Sequence, residues 1–348
     1  MPAPAAAPAS AAAQAMADAG APWRRTLGPI VLLLLLAAAA AVPIDQTPAI
    51  VWLGRQTGLS RLTYRIWDEI LTNKSFYIPV ALILLVERFV PATRPQRLFS
   101  VAFFQDFGYF ILDLFSEMFI MIYWVWAMRW VYDHAFWYLT VEAVRQWPPW
   151  AAIVVGFVGV DFLYWFNHLV RHKVTWMWHF HAIHHSQRQM NLFTDHRYHV
   201  LEYLIAHTIV FIPLFALGLS APTVFKIAIL QKWYTRFYHA NIRTNLGPLR
   251  YVLVTPQSHR VHHSALPEHR DRNFGVVLSI WDQILGTQYR GWNEYPPTGL
   301  QDDDFPCEYG YVGYAGMLWR QFVYPFRMIW KSVRRTPSPS GIPCEKVD

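Results

Sequence analysis

Cysteine is almost missing from this chain: Cys307 and Cys344 are the only two, and they lack C-x-x-C spacing. Neither a disulfide framework nor a thiolate metal site is suggested. Charge is scarce as well. Asp, Glu, Lys and Arg make up 15% of the residues, against roughly 25% in soluble domains. With 54% hydrophobic and 17% aromatic residues, the composition excludes an ordinary soluble domain and predicts a membrane protein. The little charge there is leans basic, 30 Lys+Arg against 23 Asp+Glu, a formal +7. Many cations flank apolar runs, as at Arg24-Arg25, Arg171 to Lys173 and Lys331 to Arg335, which fits cytoplasmic flanks and anionic headgroups. No nucleic-acid motif accompanies them, and no nucleic-acid partner is expected.

What the chain has in excess is histidine in groups. Thirteen of its 15 histidines fall between His168 and His263. The groups read NHLVRH (167–172), HAIHH (181–185), a looser set at His196, His199 and His239, and HRVHH (259–263). Neutral imidazole is the commonest metal ligand, because one nitrogen offers a lone pair while the other is held by a partner. On a helix His168 and His172, at i and i+4, share a face. In HAIHH the offsets i, i+3 and i+4 spread over an arc of roughly 100°. One ion is poorly served by so wide a fork, but two ions side by side are served well, and HRVHH supplies a second fork. The pattern predicts a binuclear metal site. A lone histidine is more often a hydrogen-bonded core residue; the repetition is what outweighs that reading.

Taken in order, residues 1–22 are Ala/Pro-rich and predict a disordered tail. Arg24-Arg25 followed by the apolar run 27–43 predicts an uncleaved first span, with a cleaved signal peptide as the alternative. Residues 44–75 read as a connecting segment, and 76–86 as a short second span. From Val101 to Tyr132 an apolar stretch, broken by Asp106, Asp113 and Glu117, is too long for one upright crossing, so it is either a long tilted helix or a helical hairpin. Residues 150–166 predict a further span that delivers His168 and His172 at the membrane edge. Within it Asp161 lies two turns before His168 on the same face; a carboxylate there is costly unless used, and it is expected to hold a histidine or pair with a lysine or arginine. The runs 203–219 and 222–238 must form a hairpin if His239 is to meet the others. From 246 to 289 nothing is long enough to cross, so HRVHH belongs to a cap, followed by a polar, proline-rich tail. The expected fold is all-α: a polytopic membrane bundle of about four to six spans with a cytoplasmic histidine-rich cap. It divides into the tail 1–22, a transmembrane region 23–150, a catalytic region 151–290 and a C-terminal tail 291–348.

The strings NHLVRH, MWHFHAIHHS, NLFTDHRYHVLE, FYHANI, TPQSHRVHHS and DRNFGVVLSIWDQILGT together resemble the fatty acid hydroxylase / sterol desaturase superfamily of membrane-bound di-iron oxygenases. The resemblance covers about residues 155–290 and implies metal ligation by His168, His172, His181, His184, His185, His259, His262 and His263, with His199 and His239 added. It implies two irons as cofactor and O2 as co-substrate. At Thr235 some members carry a further histidine, which this chain lacks. His179 and His196 stand beside these positions and are expected to support them; His207 reads as core, His134 and His269 as peripheral.

The expected function is O2-dependent hydroxylation or desaturation of an alkyl chain of a lipid, fatty acid or sterol-like substrate entering from the membrane. Electrons would come from a haem, ferredoxin or flavin protein. A non-enzymatic metal-binding or transport protein is the main alternative, a haem electron carrier the lesser one.

Overall fold

Several helix breaks among the described residues fall where proline, glycine or a capping side chain stands, and the tightest corner is made by one extended residue, Val174. The computed structural model describes residues 74–334 apart from 95, 98, 220, 303 and 307–313. The tail 1–22, the expected span 27–43, the connecting segment before residue 74 and both cysteines lie outside the described residues.

The α-helices are α1 (Lys74–Phe89), α2 (Val101–Ser116), α3 (Ile122–Val131), α4 (Pro149–Lys173), α5 (Thr175–His185), α6 (Val200–Ala216), α7 (Ala221–His239), α8 (Pro256–His262), α9 (Ile280–Ile284) and α10 (Tyr314–Arg334). From Ile78 onward they belong to one unit. Among the described residues β structure is limited to isolated bridges such as Leu253 with Leu278. The all-α expectation holds there.

The stretch from Val101 is one continuous helical rod rather than a hairpin. α2 passes into α3 through a π-helical turn, Glu117–Met121, and a second such turn, Tyr132–Phe136, comes after α3. Ser100 starts the rod by accepting from the Phe103 amide, an N-cap that satisfies an orphan donor. At 1.5 Å per residue it is about 54 Å long, well beyond a hydrocarbon core of about 30 Å. Its first half accordingly carries a buried acid. Asp106, fully enclosed, accepts from Gln187 at 2.7 Å, Asn191 at 2.9 Å, Thr194 at 2.6 Å and Arg197 at 3.0 Å. The three acids that break the apolar pattern thus fasten the rod to the histidine-bearing elements: Asp113 accepts from His196 and Glu117 from Tyr203.

α4 begins at Pro149, where a missing N–H costs nothing, and ends in Arg171, His172 and Lys173, cations that suit a helix C-terminus. One extended residue, Val174, then turns the chain into α5. This corner folds the two histidine-bearing helices onto each other. α6 and α7 form the anticipated hairpin, turning at Gly218 with φ 62, a left-handed value that favours glycine. At Gly156 the end of the Leu219 side chain fills the place of a Cβ, which would lie 2.6 Å from it. Val160, Val210, Leu214 and Ile227 form the core between the hairpin and α4.

The C-terminal region departs from the expected polar tail. α10 buries Met317, Gln321 and Tyr324, and Tyr324 joins Tyr109, Ile183 and Phe305 in a second core. Its arginines and lysine lower the average hydropathy and hide the apolar face. By length and composition one described helix, Trp150–Lys173, is able to cross a membrane, while Val200–Ala216 is apolar but shorter.

Candidate metal centre

The corner at Val174 brings His168 and His172 on α4 against His181 and His185 on α5. His262 from α8 completes a first group of five, in which the available nitrogens all lie within 4.8 Å of one another. A second group of four, His184, His239, His259 and His263, meets the same limit. The two H-x-x-H-H motifs divide reciprocally. In the first, the i, i+4 pair enters the group of five and the i+3 histidine the group of four; in the second, the i, i+4 pair enters the group of four. The groups adjoin: the rings of His185 and His263 stack at 4.3 Å.

α8 is only seven residues long, and its ends are fixed by local chemistry. Thr255 caps it reciprocally with Ser258, and Pro256 stands in its first turn, a box that satisfies two orphan donors. His263 follows at the C-cap.

Four imidazoles have their tautomer set by an acceptor. Nδ1–H donates to the Phe274 carbonyl from His168 at 2.9 Å, to the Arg272 carbonyl from His262 at 2.8 Å, and to the Thr235 carbonyl from His239 at 2.8 Å. His181 Nδ1–H donates to Glu202 at 2.6 Å. A carbonyl or carboxylate only accepts, so each Nε2 keeps its lone pair. These lone pairs then crowd together. His239 Nε2 lies 2.8 Å from His259 Nε2 and 3.2 Å from His184 Nε2, and His263 Nε2 is 3.0 Å from His259 Nε2. In the group of five, Nε2 of His168, His172 and His262 is buried without any partner. Buried unsatisfied nitrogens cost about 1–3 kcal/mol each, and nitrogens converging in this way fit a cation better than any shared proton. Burial, reinforced by neighbouring imidazoles and, for His181 and His184, by Arg171, holds His181, His184, His185, His259 and His263 well below the usual histidine pKa. Neutral rings are the form a metal takes.

The structure places two site residues elsewhere than the sequence predicts. His199 is in neither group. It is the N-cap of α6, where its Nδ1 accepts from the Leu201 amide at 3.1 Å, and its ring stacks on Phe322. Asp161 touches no imidazole and no cation. Its carboxylate accepts from the Val277 amide at 2.9 Å, the Leu278 amide at 3.0 Å and the Trp281 indole at 2.9 Å. It tethers the extended segment that carries the Phe274 carbonyl, so its effect on His168 is indirect. Asp161→Asn turns one acceptor into a donor facing donors, and is expected to lower stability by about 1–3 kcal/mol while the folded fraction keeps its metal content. Thermal unfolding and elemental analysis on the same preparation test this.

The residue that does hold an imidazole is Glu202. It is buried and also accepts from Arg171 at 2.7 Å. The sequence signal was available: an acid three residues after His199, in the first turn of an apolar helix. His196 bonds Asp113 and accepts from Arg236, tying α2 to α7 rather than reaching the groups. His179 faces Tyr324. His207 packs against Tyr164 and Phe211, and His134 lies on Trp130, away from both groups. His269 sits between Ser264 and Glu294.

Two hollows adjoin the histidines. A polar cleft of about 410 Å³ has His172, His185 and His262 on its wall, beside Trp178 and Asp271. A mostly apolar cavity of about 280 Å³ lies among α2, α5, α6 and α10. One of its wall residues, Tyr198, stacks on His184 at 4.7 Å.

Residues 153–287 match the family model described as Fatty acid hydroxylase. Ornithine lipid hydroxylase OlsE of Rhizobium tropici is 34% identical over 142 residues, 41% of this chain and 43% of that protein. Alkylglycerol monooxygenase of Homo sapiens is 39% identical over 146 residues, 42% and 32% respectively, and that of Danio rerio 34% over 162 residues, 46% and 34%. The matched stretch thus spans less than half the length of these curated relatives. No solved structure matches the chain. The histidines of both groups all fall inside residues 153–287, the stretch that is similar to the fatty acid hydroxylase family.

Proposed function

We propose that this chain is a membrane-bound, O2-dependent oxygenase that hydroxylates, or desaturates, an alkyl chain of a lipid-like substrate. The observation that carries this reading is the pair of adjoining groups of buried imidazoles beside an apolar cavity, at the end of an apolar helix long enough to cross a membrane. Nine imidazoles without a thiolate suit two irons, five ligands to one and four to the other, each with room for a further ligand. A bound iron pair supplies the reductive activation of O2 needed to attack an unactivated C–H bond.

The chain's own residues prepare that chemistry. Glu202 and the carbonyls of Phe274, Arg272 and Thr235 orient imidazoles. The apolar cavity shields an alkyl chain from water and brings it to the Tyr198 wall beside His184. The polar cleft leaves the group of five accessible to solvent and to an electron-donor protein of haem, ferredoxin or flavin type. A metal-transport protein would need ligands along its spanning helix. In α4 the candidate is Asp161, and its oxygens are engaged by backbone amides and Trp281.

The names of the relatives speak for lipids carrying an alkyl chain. Comparing lipid extracts of cells with and without the gene, by mass, tests the activity: a lipid that gains one oxygen atom, or loses two hydrogens, only when the gene is present is expected. Identical extracts from cells making the folded, iron-loaded protein would refute it.

In the membrane α4, the rod from Val101 and the α6–α7 hairpin would belong to a bundle of about four to six spans, with 151–290 as the catalytic region. Exposed aromatics on α3 and α4, Tyr123, Trp126, Trp130 and Trp150, suit lipid and its interface. The basic flank Arg171 to Lys173 supports a cap that faces the cytoplasm. In a chain whose cysteines are replaced by serine, Glu268→Cys is expected to resist an impermeant thiol reagent applied to intact cells and to react after lysis. Labelling in intact cells would reverse the orientation.

A further inference from the structure

His199 lines the apolar cavity with a donor that makes no well-formed hydrogen bond. It is only 2% exposed. Its Nδ1 accepts from the Leu201 amide, so the proton of the neutral ring sits on Nε2. That nitrogen is buried and makes no well-formed hydrogen bond, its one acceptor contact being with the backbone of Phe322. Four other polar groups on the wall are already engaged, Tyr109 among them as a donor to Gln321 at 2.7 Å. Asp113 accepts from His196 at 2.7 Å, Ser116 donates to the Leu112 carbonyl at 2.9 Å, and Tyr203 donates to Glu117 at 3.0 Å. A buried donor left without a well-formed bond beside a hollow is costly unless something that enters the hollow accepts from it.

The geometry points to His199 as a substrate-binding residue whose Nε2–H donates to an uncharged acceptor oxygen of the lipid, such as an ether or a carbonyl, while the alkyl chain fills the cavity. This rests on the lipid-oxidation reading above. The acceptor is uncharged because no lysine or arginine lines the cavity and Asp113 does. A free carboxylate would enter without a counter-charge and next to an acid. The fixed donor sets how far along the chain the Tyr198 wall, beside His184, meets a carbon. His199 is therefore a determinant of which lipid binds and in what register, and it is not a metal ligand.

Two substitutions separate these roles. Serine and asparagine both cap helices well, so His199→Ser and His199→Asn keep the start of α6 while neither reaches the position of Nε2. The full iron-loaded chain, in detergent and without O2, is titrated with 1-O-hexadecylglycerol and separately with hexadecane. Wild type is expected to prefer the ether lipid. Both variants are expected to lose about tenfold in affinity for it, to bind hexadecane as before, and to keep their iron. Loss of iron from the variants would make His199 a ligand and overturn the proposal. Equal losses for the two probes would reduce the residue to a wall contact and overturn it as well. A wild-type chain that binds neither probe would refute the lipid reading itself, and the proposal with it.

Discussion

Replacing His263 with alanine is expected to take the purified chain from roughly two bound irons to roughly one, and to cut lipid oxidation on the order of 100-fold or more. His263 contributes to the group of four, the smaller set. Its Nε2 lies 3.0 Å from that of His259, and its ring stacks on His185 of the other group. The loss therefore removes a ligand and loosens the seam between the groups. Stability is expected to respond in opposite directions with and without metal. In the iron-loaded chain binding energy stabilises the fold, so the variant unfolds at lower temperature. In the metal-free chain one crowded, unsatisfied nitrogen disappears, and the variant is as stable as wild type or more so. Elemental analysis and thermal unfolding in both states read this out. His134→Ala, at an exposed position near the end of the rod, is expected to leave metal and activity unchanged. Two irons retained by His263→Ala would defeat the assignment of the group of four.

Glu202→Ala has the second largest expected effect, and it is one of stability as well as of metal affinity. The carboxylate is the shared acceptor of Arg171 at 2.7 Å and His181 at 2.6 Å, with both side chains buried. Removing it leaves Arg171 charged and unpaired in the interior, which costs about 3–5 kcal/mol. It also frees His181 to rotate or to change tautomer, a loss typically worth about 10–100-fold in metal affinity. Glu202→Gln keeps an acceptor for His181 but not the charge, and is expected to fall between. Iron affinity measured by competition with a chelator, beside the unfolding midpoint, separates the two contributions. An Asp161→Asn variant makes the contrast: a lower midpoint with unchanged iron affinity. If Glu202→Ala binds iron as wild type does, the imidazole-holding role belongs elsewhere.

Much of the site is legible in the residues because helical periodicity is local. The offsets in HAIHH and HRVHH, at about 100° per residue, demand a fork whatever surrounds them. The hairpin of α6 and α7 was required by His239, and Gly218 marks its turn. The rod from Val101 was ambiguous, since length alone allows a hairpin. Its acids decide the matter only once Asp106 is seen enclosed by Gln187, Asn191, Thr194 and Arg197, all of them distant in the chain.

By itself the sequence determined the apolar, charge-poor composition, the helical forks and the expectation of two metal positions, since composition and the pitch of a helix do not depend on neighbours. Only the tertiary structure decided which imidazole joins which group, that His199 turns to the cavity, and that Glu202 rather than Asp161 holds a ring. Periodicity says which face of a helix a side chain occupies; it does not say what packs on that face. The Asp161 face of α4 meets the backbone amides of Val277 and Leu278, whereas Glu202 meets α4 and α5 where they turn at Val174. That difference is set by long-range packing: local spacing marks Glu202 as an acid at the start of an apolar helix, but not which ring it meets.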